Sequence, residues 1–282
     1  MVGTVISKKY STYSILGDGV IYNASIRGTL KFKGHVYVGD EVSFTDSNYI
    51  IESVFPRHSL LKRPEISNVD QIVLVFSLVE PDFSYFLAFK YLTYANYNEI
   101  PAVIVLSKSD KDDKQVGEIK EIFSKLNIPI YVTSSKTSEG IEEVKTLLKG
   151  KKSVLVGQSG VGKSSLLNAI NFDYDREVGE YSEALGRGKH KTKEVVLLPF
   201  ENGYIADTPG FSSLDLNLSK LEIAHYFPGF EKFYLSCFYS NCLHQKEKDC
   251  KILLAVKEGN IPSIAYENYL KLLSEGDKCW YG

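Results

Sequence analysis

The stretch that decides the fold is Gly157-Gln158-Ser159-Gly160-Val161-Gly162-Lys163-Ser164, preceded by Ser-Val-Leu-Val at 153–156 and followed by Ser165-Leu-Leu-Asn-Ala-Ile170. It fits the pattern G-x-x-x-x-G-K-[ST], and its flanks read as a short buried strand and the opening of an amphipathic helix, the context that pattern requires. The glycines let the backbone turn its N–H groups inward around phosphate oxygens, and the helix N-terminus adds a favourable dipole. In such a loop Lys163 reaches the outer phosphates and the hydroxyl of Ser164 binds Mg²⁺, with Ser165 in the same nucleotide-binding run. The bland alternative is a chance glycine-rich turn between strand and helix. Eight matching positions with both flanks in agreement outweigh it, and the stretch reads as a nucleoside-triphosphate site.

Upstream, Val69-Asp-Gln-Ile-Val-Leu-Val-Phe76 is a nearly continuous apolar run, as for a strand covered on both faces. A helical pattern over 83–97, a buried strand over 102–106, a helix over 114–126, a strand over 129–132 and a helix over 140–148 follow in turn. This alternation predicts a mostly parallel, doubly wound sheet, whose ligands bind at the carboxyl ends of the strands. Polar motifs fall at those ends. Ser107-Lys108-Ser109-Asp110 follows one strand, and a carboxylate at Asp110 accepts hydrogen bonds from the imino and amino groups of guanine where adenine offers mismatched ones. Ser134 and Ser135, after the strand at 129–132, would complete the base pocket through backbone N–H groups. Alone each is only a polar loop; in a P-loop chain, at a strand end, the set favours guanine.

Downstream, Ile205-Ala-Asp207-Thr-Pro-Gly210 is a strand running into D-x-x-G. Asp207 is expected to hold Mg²⁺ through water and the Gly210 N–H to meet the γ-phosphate; a plain Asp-Thr-Pro-Gly turn is the alternative. Between them lies the basic, glycine-rich run Leu185-Gly-Arg-Gly-Lys-His190-Lys-Thr192-Lys193, where Thr192 is the best second hydroxyl for Mg²⁺. Its basic residues would equally well just solvate an exposed loop. Chain order is the most informative fact. In Ras-like proteins the P-loop comes first and the guanine-reading Lys-x-Asp follows D-x-x-G, whereas here Lys108-Ser-Asp110 and Ser134 precede the P-loop, Thr192 and Asp207. The same sheet follows from this order only by circular permutation.

Residues 1–60 alternate apolar and polar positions in five short runs, 2–7, 12–16, 20–26, 41–44 and 49–54, separated by turn signals such as Gly17-Asp-Gly19. A small oligonucleotide-binding (OB) type β-barrel is expected. Arg27, Lys31, Lys33, Arg57 and Lys62, with Phe32, Tyr37 and Phe55, could form a phosphate-and-stacking surface, or a solvated barrel face over core aromatics. The tail carries Cys237-x4-Cys242-x-His244-x5-Cys250, three thiolates and one imidazole suited to a closed tetrahedral Zn²⁺ site with a structural role. Cys279 is left over and reads as free. Helices are expected over 251–258 and 262–273. Of the 282 residues 44% are hydrophobic and 24% charged, and the net charge of −2 gives no global electrostatic case for nucleic acid. No basic start leads into an apolar run at the N-terminus and no apolar run approaches a membrane span, so no signal peptide or membrane association is expected and a cytoplasmic location is.

A small barrel, a permuted G domain and a C-x4-C-x-H-x5-C tail together resemble the bacterial RsgA (YjeQ) family of ribosome-small-subunit-dependent GTPases, over nearly the whole chain. Arg63-Pro64-Glu-Ile-Ser-Asn68-Val-Asp70 and Asp207-Thr-Pro-Gly-Phe211 match further. The resemblance implies a late maturation factor that binds the small subunit and its rRNA, hydrolyses GTP to GDP there and leaves, as a monomer. It also implies an RNA-binding barrel over 1–64, a permuted GTPase domain over 65–215 and a zinc domain over 216–282. Ras-like enzymes orient the attacking water with a Gln after D-x-x-G; Phe211 stands there instead, and the resemblance points to His190, with Lys163 and Thr192 as the other catalytic groups. Two positions depart from the family: Ser107 replaces the usual Asn or Thr, and His190-Lys191-Thr192 replaces His-Thr-Thr. A GTP-gated RNA-binding switch whose hydrolysis is incidental remains the alternative, and an ATPase with a fused zinc module is a third reading.

Overall fold

A computed structural model describes residues 1–26, 35–171, 195–207 and 216–276. The strands of the N-terminal part are β1 (Val2–Lys9), β2 (Thr12–Gly17), β3 (Val20–Ile26), β4 (Glu41–Phe44), β5 (Ile50–Val54), β6 (Leu60–Lys62) and β7 (Glu65–Ser67). Then come β8 (Gln71–Ser77), α1 (Tyr85–Tyr97), β9 (Ala102–Ser107), α2 (Val116–Lys125), β10 (Ile130–Val132), α3 (Ile141–Leu148), β11 (Lys152–Val156) and α4 (Lys163–Ile170). The last elements are β12 (Val196–Phe200), β13 (Gly203–Asp207), α5 (Lys220–Tyr226), α6 (Lys251–Lys257) and α7 (Ser263–Leu273). Two compact units result, one of Met1–Val73, Ile141–Gly157 and Lys163–Ser212, the other of Leu74–Gly140, Gln158–Gly162 and Ser213–Gly282.

In the first unit β1, β2 and β3 run antiparallel, β3 pairs β5 in parallel, β5 pairs β4, and β4 returns to β1. The five-stranded barrel is therefore closed and OB-like. Closure follows from the period-two pattern: Val5, Tyr13, Ile15, Ala24, Val42, Phe44 and Ile51 point inward and form one apolar cluster, each fully buried aliphatic or aromatic side chain contributing about 1.5–3 kcal/mol. The β2–β3 turn is the two-residue Asp18-Gly19, both at positive φ (49° and 75°), the conformation a tight hairpin needs.

The basic surface expected on the barrel needs one correction. Arg57 is not free for phosphate: its Nε and Nη2 donate to the two carboxylate oxygens of Asp40 at 2.6 and 2.8 Å, and its guanidinium lies 4.8 Å from the Tyr37 ring centroid. Asp40 is fully buried, and an unpaired carboxylate there would be costly; it is satisfied by Arg57, the Tyr37 N–H and the Ser67 hydroxyl. Lys62 and Phe55 are exposed. Arg27, Lys31, Phe32 and Lys33 lie outside the described residues.

β8 runs from one unit into the other. In the first its start lies beside β11, and the order continues β13, β12, β1. β11 and β13 are parallel, whereas β12 is antiparallel to both β13 and β1, so an antiparallel hairpin carries the sheet into the barrel. In the second unit β9 lies beside β8 and pairs β10 in parallel. There α1 packs on α5 and α7; Phe89 of α1 stacks on Phe123 of α2 and on Phe227, with centroids 5.2 Å apart in both pairs. With β8, β9 and β10 ahead of β11 in the chain, the sheet is circularly permuted.

Candidate nucleotide site and metal cluster

In the first unit, β11 ends at Val156 and leads through Gly157 into the P-loop, and α4 opens on Lys163. Val154 of β11 sits opposite Ala206 of β13, so the loop and Asp207 leave neighbouring parallel strands at the same end. The hydroxyl-bearing Ser164 and Ser165 are exposed in the first turn of α4. The Lys163 ammonium donates to the Gly157 carbonyl at 2.6 Å, bent back over the loop that precedes it. The strand beneath is pinned by groups the sequence did not single out. Gln71 donates to the Ser153 hydroxyl and the Leu147 carbonyl, both at 2.9 Å, and the Lys152 N–H donates to Asp70 at 2.7 Å. The Lys152 ammonium, its pKa lowered by burial, donates to the Gly39 carbonyl of the barrel at 2.8 Å.

In the second unit, Gln158–Gly162 lies with the loop after β9. Gly160 and Gly162 have φ of 81° and 92°, which L side chains rarely adopt and which turns successive N–H groups to one side. Ser107 is buried, and its hydroxyl donates to the Val161 carbonyl at 2.5 Å, bracing this part of the P-loop. Lys108 donates to the carbonyls of Val79 and Glu80. Asp110 accepts from the Ser134 hydroxyl at 2.7 Å, and that bond holds its carboxyl below the usual range. The same Ser134 oxygen accepts from the N–H groups of Lys136 and Thr137, fixing the turn that contains Ser135. Two carboxylates that sequence reasoning missed lie beside this loop. Glu139 accepts from the Ser109 hydroxyl at 2.6 Å, and Glu80 pairs with Lys111 at 2.9 Å. Neither belongs to a spaced motif, so no local signal marks them.

Cys237, Cys242, His244 and Cys250 converge, their ligand atoms all within 4.8 Å of one another. The Cys237 and Cys250 sulfurs are 3.9 Å apart, and Nδ1 of His244 is 3.6 and 3.4 Å from them. A tetrahedron with Zn–S of about 2.3 Å and Zn–N of about 2.05 Å has edges of roughly 3.8 and 3.5 Å. The observed spacing fits it and is far from the roughly 2.05 Å of a disulfide. Burial pushes the Cys242 thiol up to about 12 and His244 down to about 4, so without a cation the Cys242 thiol holds its proton. Binding a metal reverses that and couples its affinity to pH. Nε2 of His244 is buried, and the ring packs edge-on against Phe230. The residues fit a four-ligand metal site. Thr192, His190, Gly210, Phe211 and Cys279 lie outside the described residues, as does the basic run 185–193.

A Lys-x-Asp loop, a P-loop and a D-x-x-G strand end in this chain order define a circularly permuted P-loop GTPase. Residues 54–217 match the family model for the RsgA GTPase. "Small ribosomal subunit biogenesis GTPase RsgA" of Thermotoga maritima is 44% identical over 260 residues, covering 89% of this chain and 87% of that one. The protein of the same name from Moorella thermoacetica is 38% identical over 282 residues, with 98% and 97% covered. Among solved structures, YjeQ from Thermotoga maritima superposes with a TM-score of 0.83 at 38% identity, over 97% of each chain. YloQ, described as a circularly permuted GTPase, gives 0.79 at 31% identity, covering 100% of this chain and 96% of that one. The chain belongs to the RsgA GTPase family.

Proposed function

We propose that this chain is a GTP hydrolase acting as a late maturation factor of the small ribosomal subunit, binding the subunit and its rRNA in the GTP state and released by hydrolysis. The names of its relatives support the assignment. The observation that carries it is the Ser107–Asp110 loop: one end braces the P-loop at Val161 and the other presents a carboxylate held by Ser134. Asp110 accepts from the guanine imino and amino groups, and the turn at Ser134–Ser135 supplies backbone donors. Lys163 leaves the Gly157 carbonyl for the outer phosphates and stabilises charge on the transferring group. Gly157, Gln158, Ser159, Gly160, Val161 and Gly162 offer N–H groups to the phosphates, and Gly210 meets the γ-phosphate. Ser164, Thr192 and Asp207 would hold Mg²⁺, which would neutralise phosphate charge. His190 orients the attacking water.

Cys237, Cys242, His244 and Cys250 hold one structural Zn²⁺, since a closed four-ligand shell leaves no open position for catalysis. The barrel over 1–64 contacts rRNA, the GTPase domain spans 65–215 and the zinc domain 216–282. The protein works as a cytoplasmic monomer. Among the described residues no helix is long and apolar enough to cross a membrane. The test is GTP hydrolysis measured with and without purified small subunits. Stimulated turnover supports the reading; turnover indifferent to the subunit overturns it in favour of a switch whose hydrolysis is incidental.

A further inference from the structure

The metal-binding tail exposes more apolar surface than its core explains. Leu235, Phe238 and Tyr239 are 80%, 74% and 46% exposed, and Leu254 of α6 is 43% exposed. Scattered exposed apolar residues need no account, but these are not scattered. Leu235 lies in the 3-10 turn Tyr234–Ser236, which packs against α6. The Lys251 N–H at the start of α6 donates to the Cys237 sulfur at 3.4 Å, so the loop carrying Phe238 is fastened to the same helix. The loop runs between two of the cluster's cysteines, Cys237 and Cys242, and its two rings meet edge to face with centroids 4.9 Å apart at 84°. Ordered aromatic rings held outward by a metal shell cost little further entropy when they bind.

The surrounding charge says what kind of partner fits. Over residues 231–251, Lys232, Lys246, Lys248 and Lys251 are exposed. Of the three carboxylates in that stretch, Glu247 is turned inward, accepting from the N–H groups of Leu243, Gln245 and Lys246. Only Glu231 and Asp249 are left to face solvent, against four lysines, in a chain of net charge −2. Exposed aromatic faces among exposed lysines are the combination that binds single-stranded nucleic acid: rings stack on bases and ammonium groups follow phosphates. We propose that Phe238, flanked by Tyr239 and Leu235, is a stacking platform for an unpaired RNA base, with Lys232, Lys246, Lys248 and Lys251 as its phosphate contacts.

This inference rests on the ribosomal reading above, and the test separates the two. Binding of full-length, metal-loaded protein to isolated small subunits is titrated with a non-hydrolysable GTP analogue, and rRNA bases are probed with a base-modifying reagent. Phe238→Ala should bind about 5- to 150-fold more weakly, the range of one lost stacking contact, and should uncover at least one base that the wild type protects. Phe238→Leu, apolar but without a ring, should behave like Phe238→Ala, whereas Phe238→Trp should keep both affinity and protection. Unchanged metal content and intrinsic hydrolysis show that the fold survives. Wild-type affinity in Phe238→Ala overturns the proposal, as does wild-type affinity in Phe238→Leu. Weaker binding with no base uncovered overturns it in favour of a protein contact, and a dimer that Phe238→Ala disperses overturns it in favour of a second copy. A wild type that no subunit stimulates would sink the ribosomal reading itself.

Discussion

Replacing Ser107 with alanine removes one buried hydroxyl from the join between the base-reading loop and the P-loop. Ser107 is 5% exposed, and its single proton goes to the Val161 carbonyl at 2.5 Å, with the Phe76 carbonyl also in reach at 3.1 Å. The Phe76 carbonyl lies within β8, whereas Val161 sits between Gly160 and Gly162, both at positive φ. Leaving such a carbonyl unsatisfied costs about 1–3 kcal/mol. At about 1.4 kcal/mol per decade that is roughly a 5- to 150-fold change in an equilibrium constant. Part of the cost also falls on the unliganded loop, so Ser107→Ala should weaken both GTP and GDP by about 10-fold, toward the low end. The loss should be equal for the two nucleotides, because the phosphates that the proposed site sets against Val161 are common to both. Discrimination of guanine from adenine should survive, because Asp110 is held by Ser134 and not by Ser107. Ser107→Asn, whose amide can donate to the same carbonyl, should recover most of the affinity. Titration with fluorescent GDP and GTP analogues measures both constants. Wild-type affinity in Ser107→Ala would show that the bond braces nothing, and loss of GTP alone would move its role to the γ-phosphate.

Lys163→Ala should abolish hydrolysis and strongly weaken triphosphate binding while leaving the thermal melt in place, since the ammonium acts on ligand charge and not on packing; unchanged turnover removes the P-loop assignment. Asp110→Asn should shift preference from guanine toward xanthine, because an amide donates where the carboxylate accepted, and competition between GTP and XTP reads it directly. Cys242→Ser, or chelation of the metal, should melt the tail and leave GTP binding largely intact; a freshly purified protein with no zinc by metal analysis ends that claim. His190→Ala should keep GTP affinity within a few-fold and lose roughly 10²-fold of subunit-stimulated turnover. Loss of subunit binding along with the rate would make His190 an RNA contact instead.

What the sequence disclosed and what it hid divide by the range of the interaction. The P-loop, the Ser107–Asp110 loop and the cysteine–histidine tail are motifs whose atoms converge because their residues are close in the chain. The barrel strands are legible for a similar reason, since alternation and an Asp-Gly turn are local signals. Neither role open to Arg57 includes an ion pair, because its partner is set by closure of the barrel: Asp40 is 17 positions away, and nothing near Arg57 announces a buried carboxylate. Lys152 and Gly39 meet across 113 positions, which no periodicity can show. β12 is not among the expected strands, and its Pro199 is a residue that argues against one. It is tolerated in a hairpin opposite Tyr204. The start of α5 was written plainly: Ser219 and Glu222 form a capping box, and both of its bonds are present. β6 and β7, three residues each, are too short for any pattern to rise above chance.

The permutation leaves the chemistry of the site alone, because a nucleotide is met by strand ends whatever order the chain visits them in. It changes what each end is tied to. β13, which delivers Asp207, continues through eight residues, 208–215, into the part of the chain that holds the metal cluster. β12 follows the basic run of His190 and Thr192 directly: Val196 is four positions past Thr192, and its partner across the ladder is Ser7 of β1. The strand that anchors that run is therefore hydrogen-bonded to the first strand of the barrel. On the other side, Lys152 opens the strand that ends at the P-loop and donates to the carbonyl of Gly39, a turn residue whose own N–H donates to the Val5 carbonyl of β1. The strand entering the P-loop and the strand following the basic run are thus both hydrogen-bonded to backbone of the barrel unit. Under the proposed function, an RNA that loads the barrel is expected to act on these two strands. A GTPase with its motifs in the usual order and a barrel appended at one terminus would have only a linker there.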